Sequence, residues 1–236
     1  PLSHIRSMVV QPDGSIFLGG TDDPGVVRPD AFGRPAFRSL FEGAEGVERK
    51  FGVVWEAAAA GEDVWFSAER HVFRLAQGRL QSWAFTNGPG TTGVMVAGTN
   101  VFAQTTGVGL REFDGREFVT RSTNALVARG LVTGMAAAAD GGWWVLSRSA
   151  GLLRWRDESM EAVAFPGSEE IRNGRPAQLD VLPDGRLLIA TGRAGLFLVD
   201  PAVGVVRHWG TEDGLLADAI RDVWCATDGT WWLATD

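Results

Sequence analysis

The 236-residue chain contains one cysteine, Cys225, so no internal disulfide can form. A lone cysteine in an apolar run reads as a small core residue. Lysine is nearly absent, and arginine carries almost all of the positive charge. Positive charge is also short overall, with a formal net charge of −7. A basic face broad enough for nucleic acid or an anionic membrane is therefore not expected. The chain has three histidines, and His4 and His208 lie far apart in its pattern. No metal site is expected, because metals need several converging ligands, and no cofactor is expected either. A Ser-His-Asp set, a P-loop and paired-cysteine spacing are all missing. Long apolar runs are missing too. The longest uncharged stretch, Leu80 to Leu110, is broken by Asn87, Pro89, glycines and threonines, so it is not a membrane helix. The sequence opens at Pro1 without a recognisable signal peptide of its own, and the chain is expected to be cut from something longer at both ends.

Glycine and tryptophan are abundant instead, at 31 and 10 residues. Glycine reaches positive φ without steric cost, so many glycines imply many tight turns. Many tryptophans imply aromatic plugs between packed sheets, or stacking surfaces in a site.

A repeat of about 44 residues organises both. A short apolar run leads to a turn, usually Asp-Gly. A second apolar run follows, often with Trp, and after a polar loop Gly-Leu or Gly-Val opens a third. Val181-Leu182-Pro183-Asp184-Gly185 leads to Leu187–Thr191 and then Gly195-Leu196-Phe197. Ala136 to Gly141 leads to Trp143–Ser147 and then Gly151-Leu152-Leu153. Met8 to Gly14 leads to Ile16–Gly19 and then Gly25-Val26-Val27. Two copies turn at Gly61 and Gly98 without the Asp, and a last copy runs from Val223 through Asp228-Gly229 to Trp231–Thr235. The turn glycines Gly14, Gly61, Gly98, Gly141, Gly185 and Gly229 are spaced 47, 37, 43, 44 and 44 residues apart. From turn glycine to third run the distance is 10 or 11 residues in all five copies that have one.

These runs are too short for helices and suit strands, and Asp-Gly between two of them signals a hairpin. Only Ala57–Ala60 and Ala136–Ala139 look helix-prone, and both occupy a first-strand slot. Four residues before each turn glycine stand Val10, Ala57, Val94, Ala137, Val181 and Cys225, all small. That column fits the first strand of a propeller blade, where blades converge. The fold expected is all-β: a β-propeller of four-stranded antiparallel blades spanning residues 1–236 as a single domain. Five blades and the first two strands of a sixth make an incomplete ring, whereas seven blades would need roughly 310 residues.

His208 to Asp236 resembles the two-component regulator propeller repeat. That repeat runs aromatic-Thr-x-x-Asp-Gly-Leu, a spacer, an apolar strand, Asp-x-x-Gly-x-Leu-Trp-Ile-Gly-Thr and then Gly-Leu. Trp209, Thr211, Asp213-Gly214-Leu215, Val223, Asp228-Gly229, Trp232 and Thr235 match it. The blades from Met135 and Leu179 match its turn, second strand and Gly-Leu, and the first three blades match it less well. The resemblance implies an extracytoplasmic sensor of a bacterial signalling protein, periplasmic or extracellular. It also implies that a kinase or cyclase module elsewhere in the parent does the catalysis. A dimer would form through those downstream modules. Related Pro-Asp-Gly turns occur in streptogramin-lyase-like propellers, so a secreted lyase or hydrolase is the alternative, and an interaction scaffold is a third.

Asp13, Asp140, Asp184 and Asp228 recur once per blade and read as turn formers that accept backbone hydrogen bonds. Residues that break the repeat are more informative. The loops between second and third strands hold Thr21-Asp22-Asp23, Glu69-Arg70-His71, Gln104-Thr105-Thr106, Arg148-Ser149 and Gly192-Arg193. Arginine recognises carboxylates and phosphates through paired N–H donors. Arg70, His71, Gln104, Arg148 and Arg193 are therefore the candidate ligand-binding residues, for an anionic or carbohydrate ligand or a protein partner. His71 stands in a column otherwise filled by Gly25, Gly109, Gly151 and Gly195, which suggests a position tolerating φ > 0. The pairs Trp143-Trp144 and Trp231-Trp232 read as core, with carbohydrate stacking as the other reading.

Overall fold

The computed structural model describes residues 4–42, 51–85, 92–226 and 228–235. Asn87, Pro89, Thr227 and Asp236 lie outside the described residues. The chain divides into two compact units, Pro1–Thr123 and Asn124–Asp236.

The first unit holds three antiparallel sheets, each with its four strands in chain order. The first is β1 (Ser7–Val10), β2 (Ile16–Gly19), β3 (Pro24–Pro29) and β4 (Pro35–Ser39). The second is β5 (Val54–Ala60), β6 (Asp63–Ala68), β7 (His71–Ala76) and β8 (Arg79–Ala84). The third is β9 (Thr92–Ala97), β10 (Asn100–Thr105), β11 (Gly109–Phe113) and β12 (Phe118–Ser122).

The second unit repeats the plan. Its first sheet is β13 (Val132–Ala137), β14 (Trp143–Ser147), β15 (Gly151–Arg156) and β16 (Ser159–Ala162). Next come β17 (Pro176–Val181), β18 (Leu187–Thr191), β19 (Leu196–Asp200) and β20 (Gly204–Trp209). A two-stranded sheet, β21 (Ile220–Cys225) and β22 (Trp231–Thr235), completes the described residues.

Each turn glycine sits between the first and second strand of its sheet with φ between +61° and +88°, the left-handed region that L side chains avoid. Core clusters lie between successive sheets within each unit. Phe17 meets Val64 and Phe66, Trp65 meets Val94 and Val101, Leu146 meets Leu179 and Ile189, and Leu188 meets Ile220 and Val223. Internal sheets are thus covered on two faces, which is why second strands such as Leu187–Thr191 are buried throughout. Each such Leu or Phe side chain contributes about 1.5–3 kcal/mol by burial.

Two short helices, α1 (Ala125–Ala128) and α2 (Ser168–Asn173), lie in connections between sheets, and α2 is pinned by the fully buried Ile171. Two expectations need correction. The tryptophan pairs are not all core. Trp232 is 63% exposed; among the described residues its sheet packs on the preceding one through Ile220 and Val223. Asp140 does not form its turn in the same way as the other aspartates. Asp13, Asp184 and Asp228 accept the N–H of Ser15, Arg186 and Thr230. Asp140 is instead held by Arg154 at 2.6 Å and by Arg156.

Candidate functional site

Two ends of the second unit compete as a site: the end with the Asp-Gly turns and the end with the loops between second and third strands. The turn end carries a cleft of about 760 Å³, with Trp144, Arg154, Asp184 and Asp200 among its lining. Its polar groups satisfy one another. Arg154 lies over the Trp144 ring and donates to the carbonyls of Trp143 and Trp155 at 3.0 Å each, and to Asp140. Asp184 pairs with Arg186 at 2.6 Å, and Asp200 accepts the N–H of Ala202. These contacts hold the Asp140 and Asp184 carboxyls below their ordinary range, through Arg154 and Arg186 respectively. Such groups shape turns and have little left to offer a ligand.

The loop end differs. Arg148 is exposed, and its N–H donates to Leu131 O at 2.8 Å, which fixes the loop against the start of β13. Arg193 is exposed in the loop after β18. The preceding Gly192 N–H donates to Arg175 O at 2.9 Å. Arg175 is exposed and holds φ +61°, a backbone conformation rare for a long side chain. The two sheets meet at this end, where the Thr133 hydroxyl lies 3.5 Å from both Leu146 O and Pro176 O. The chain segments bearing Arg148, Arg175 and Arg193 are therefore held at one end of adjoining strands. Neither Arg175 nor Arg193 forms an ion pair with a described residue. Arg175 was missed by sequence reasoning, since it precedes a first strand rather than following a second one. Its signal is the positive φ, which no composition reveals.

The hydroxyls that end the second strands set the loop shape. Thr191 Oγ1 donates to Gly195 O and accepts the N–H of Ala194, both at 2.9 Å, and Ser147 Oγ accepts the N–H of Ala150. Gly195 is required where it stands: at φ +77°, an added Cβ would lie 2.0 Å from Trp209 O.

In the first unit the candidates separate. Arg70 is exposed, and its carbonyl accepts the N–H of Phe85 at 2.7 Å. His71 is not a loop residue with positive φ. It belongs to β7, is 9% exposed and stacks on Phe73 with centroids 5.9 Å apart. The glycine column it interrupts is mixed: Gly151 and Gly195 need positive φ, whereas Gly25 is there because a Cβ would strike the Phe37 ring. Gln104 lies within β10 and is fully buried. Asp22 locks its loop by accepting the N–H groups of Phe51 and Gly52. Among the described residues, no three His, Cys, Asp or Glu side chains converge as a metal-ligand set. His208 stacks on Phe197 at 4.3 Å, and its Nε2 lies 2.5 Å from Ala194 O. No described helix is long and apolar enough to cross a membrane.

No protein-family model matches the chain, and no curated protein matches it. Solved structures do share its fold. The extracellular domain of a putative hybrid two component system from Bacteroides thetaiotaomicron is 15% identical, with TM-score 0.70 over 98% of this chain and 31% of its own. Virginiamycin B lyase from Staphylococcus aureus is 9% identical, with TM-score 0.69 over 98% of this chain and 77% of the lyase. The WD40 β-propeller domain of Doa1 is 12% identical, with TM-score 0.73 over the whole of this chain and 77% of that domain. The fold is a β-propeller, and the described sheets are five four-stranded blades and a two-stranded sixth. The chain spans about a third of the two-component extracellular domain it resembles.

Proposed function

We propose that this chain is the ligand-sensing part of an extracytoplasmic bacterial signalling protein, with its six blades belonging to one propeller. On this reading the propeller catalyses nothing itself. It binds a small anionic or polyhydroxylated ligand, or a partner bearing such groups, at the loop end of its blades. The observation that carries this is the placement of Arg148, Arg175 and Arg193 at one end of adjoining strands, with Arg175 and Arg193 unpaired among the described residues. On an acidic chain, arginines whose backbones are anchored at one end of adjoining strands suit carboxylate, phosphate or sulfate, which guanidinium binds through forked N–H donors. Arg70 belongs to a separate loop and serves as a second, independent candidate. The resemblance of His208 to Asp236 to sensor propeller repeats supports the signalling context, as does the fold shared with an extracellular two-component domain. The competing lyase reading rests on fold likeness and on related Pro-Asp-Gly turns.

The test is thermal stabilisation by a panel of uronic acids, sulfated sugars, organic acids and neutral sugars. A ligand at about 100 times its Kd should stabilise the protein by about 2.7 kcal/mol. Anionic members should stabilise the wild type and fail to stabilise the triple variant Arg148→Ala, Arg175→Ala, Arg193→Ala. Equal stabilisation of both proteins would move the site elsewhere, with Arg70→Ala as the next variant. No stabilisation by any anion would remove the anionic class.

A further inference from the structure

Helix α2 touches both of the loops that carry Arg148 and Arg193. On one side, a Cβ added to Gly151, at the end of the Arg148 loop, would lie 3.4 Å from Cβ and 3.7 Å from Cγ of Arg172. The aliphatic stem of Arg172 therefore packs beside that loop. On the other side, a Cβ added to Gly174 would lie 2.8 Å from Cβ of Ala194, the neighbour of Arg193. A Cβ added to Gly192 would lie 3.9 Å from Cβ of Arg175. Bare glycines thus let both loops close on the end of α2. The helix end is fixed there by the buried Ile171 and by the Gly174 N–H, which donates to Glu170 O at 2.8 Å. Arg172 is exposed, yet its head turns back along the helix and donates to Glu169 Oε1 at 3.1 Å. The Glu169 side chain is 81% exposed, and an ion pair so open to water holds weakly.

We infer that Arg172 is a fourth ligand-binding arginine and that Glu169 is its resting counter-ion, displaced when an anion binds. This role rests on the ligand reading above and narrows the ligand class. A carboxylate offers about four acceptor sites and a guanidinium fork fills two of them, so two arginines saturate one acid group. Arg148, Arg172, Arg175 and Arg193 together suit an anion with at least two acid groups. Glu169 also acts as a filter. An anion that cannot outcompete it forgoes the Arg172 contact, which disfavours singly charged ligands.

Two measurements test it: phenylglyoxal labelling mapped by mass spectrometry, and titration with citrate and acetate at constant ionic strength. Without added anion, Arg172 should be labelled more slowly than Arg175 and Arg193, and should reach their rate in Glu169→Gln. Citrate should bind the wild type more tightly than acetate does. It should bind Arg172→Ala about tenfold more weakly and Glu169→Gln about twofold more tightly. In the double variant the gain from Glu169→Gln should vanish, because the counter-ion acts only through Arg172. Arg172→Lys keeps the charge without the fork, and should also bind citrate more weakly than the wild type should Arg172→Ala disturb α2. Equal labelling of Arg172 in wild type and Glu169→Gln would overturn the role of Glu169. Citrate affinity indifferent to Arg172, or a gain from Glu169→Gln that persists without Arg172, would overturn the role of Arg172. Those results spare the ligand reading as long as the triple variant at Arg148, Arg175 and Arg193 loses citrate. Citrate binding that survives in the triple variant, or is absent from the wild type, is a failure of the ligand reading itself, and the Arg172 role falls with it.

Discussion

Glu56 Oε2 accepts the backbone N–H of Val94 at 2.8 Å and so ties the second blade to the first strand of the third. The same oxygen accepts the Ser67 hydroxyl at 2.9 Å. Val94 is 4% exposed and Ser67 is fully buried, so neither donor can turn to water when the carboxylate is removed. Glu56→Ala should destabilise the protein by about 1–3 kcal/mol, the cost of leaving buried donors unpaired. Glu56→Gln keeps an acceptor and should recover most of that. Denaturant titration reads both variants, with an unchanged slope expected if the native and unfolded states keep their compactness. A neutral Glu56→Ala would mean that the clip is structurally idle.

The blade plan was legible because its chemistry is local. Gly185 must be glycine at φ +86°, and the apolar run Leu187–Thr191 admits burial on both faces. What escaped depends on neighbours that no spacing encodes. Four first strands carry a register shift, at Val54/Glu56, Val132/Gly134, Pro176/Gln178 and Ile220/Asp222. Such bulges insert one residue and re-aim its side chain without a compositional mark. Their inserted residues, Trp55, Thr133, Ala177 and Arg221, have nothing in common. Arg175 adopts a conformation that sequence rules reserve for Gly, Asn or Asp. His71 and Gln104 fall where a loop meets a strand, and counting from the turn cannot decide between the two: β7 begins at His71, β10 runs through Gln104 to Thr105, and both residues are buried. Trp232 follows the core pattern faithfully, and its exposure is decided by what covers its sheet.

Asp222 follows the bulge of β21, and its Oδ1 accepts the N–H of Val223 at 2.8 Å. Desolvation, and behind it the charge of Asp180, push the Asp222 carboxyl above its ordinary value despite that hydrogen bond. The native state therefore holds this proton more tightly than the unfolded chain. Stability falls as pH rises from the unfolded carboxyl value of about 3.9 to the raised native value, and the penalty is complete above it. Asp222→Asn removes the titrating group and keeps an acceptor for Val223. The variant should be more stable than wild type at neutral pH, and the gain should vanish in acid. Asp222 as a whole residue is exposed, so screening keeps the gain small, and salt should shrink it further. Melting temperatures of both proteins across the acid range decide the matter. A gain independent of pH would point to strand packing and away from charge.

Cys225, two strand positions beyond Val223, has its thiol pushed up to about 11 by burial, by the Asp180 charge and by a hydrogen bond to Asp180. A thiol reacts as its thiolate, so Cys225 should be nearly inert to iodoacetamide at neutral pH. Its labelling rate should climb well beyond the ordinary cysteine value of about 8.5 and level off only near the native value. Asp180→Asn removes the negative charge and should move the labelling midpoint down. The same shift acts on stability. An unfolded cysteine ionises first, so the protein should lose stability as pH rises between the ordinary and native values. Cys225→Ala should abolish that alkaline loss while leaving the acid limb set by Asp222 in place. Labelling at the rate of a free cysteine, or a midpoint unmoved in Asp180→Asn, would show that β17 does not control this thiol.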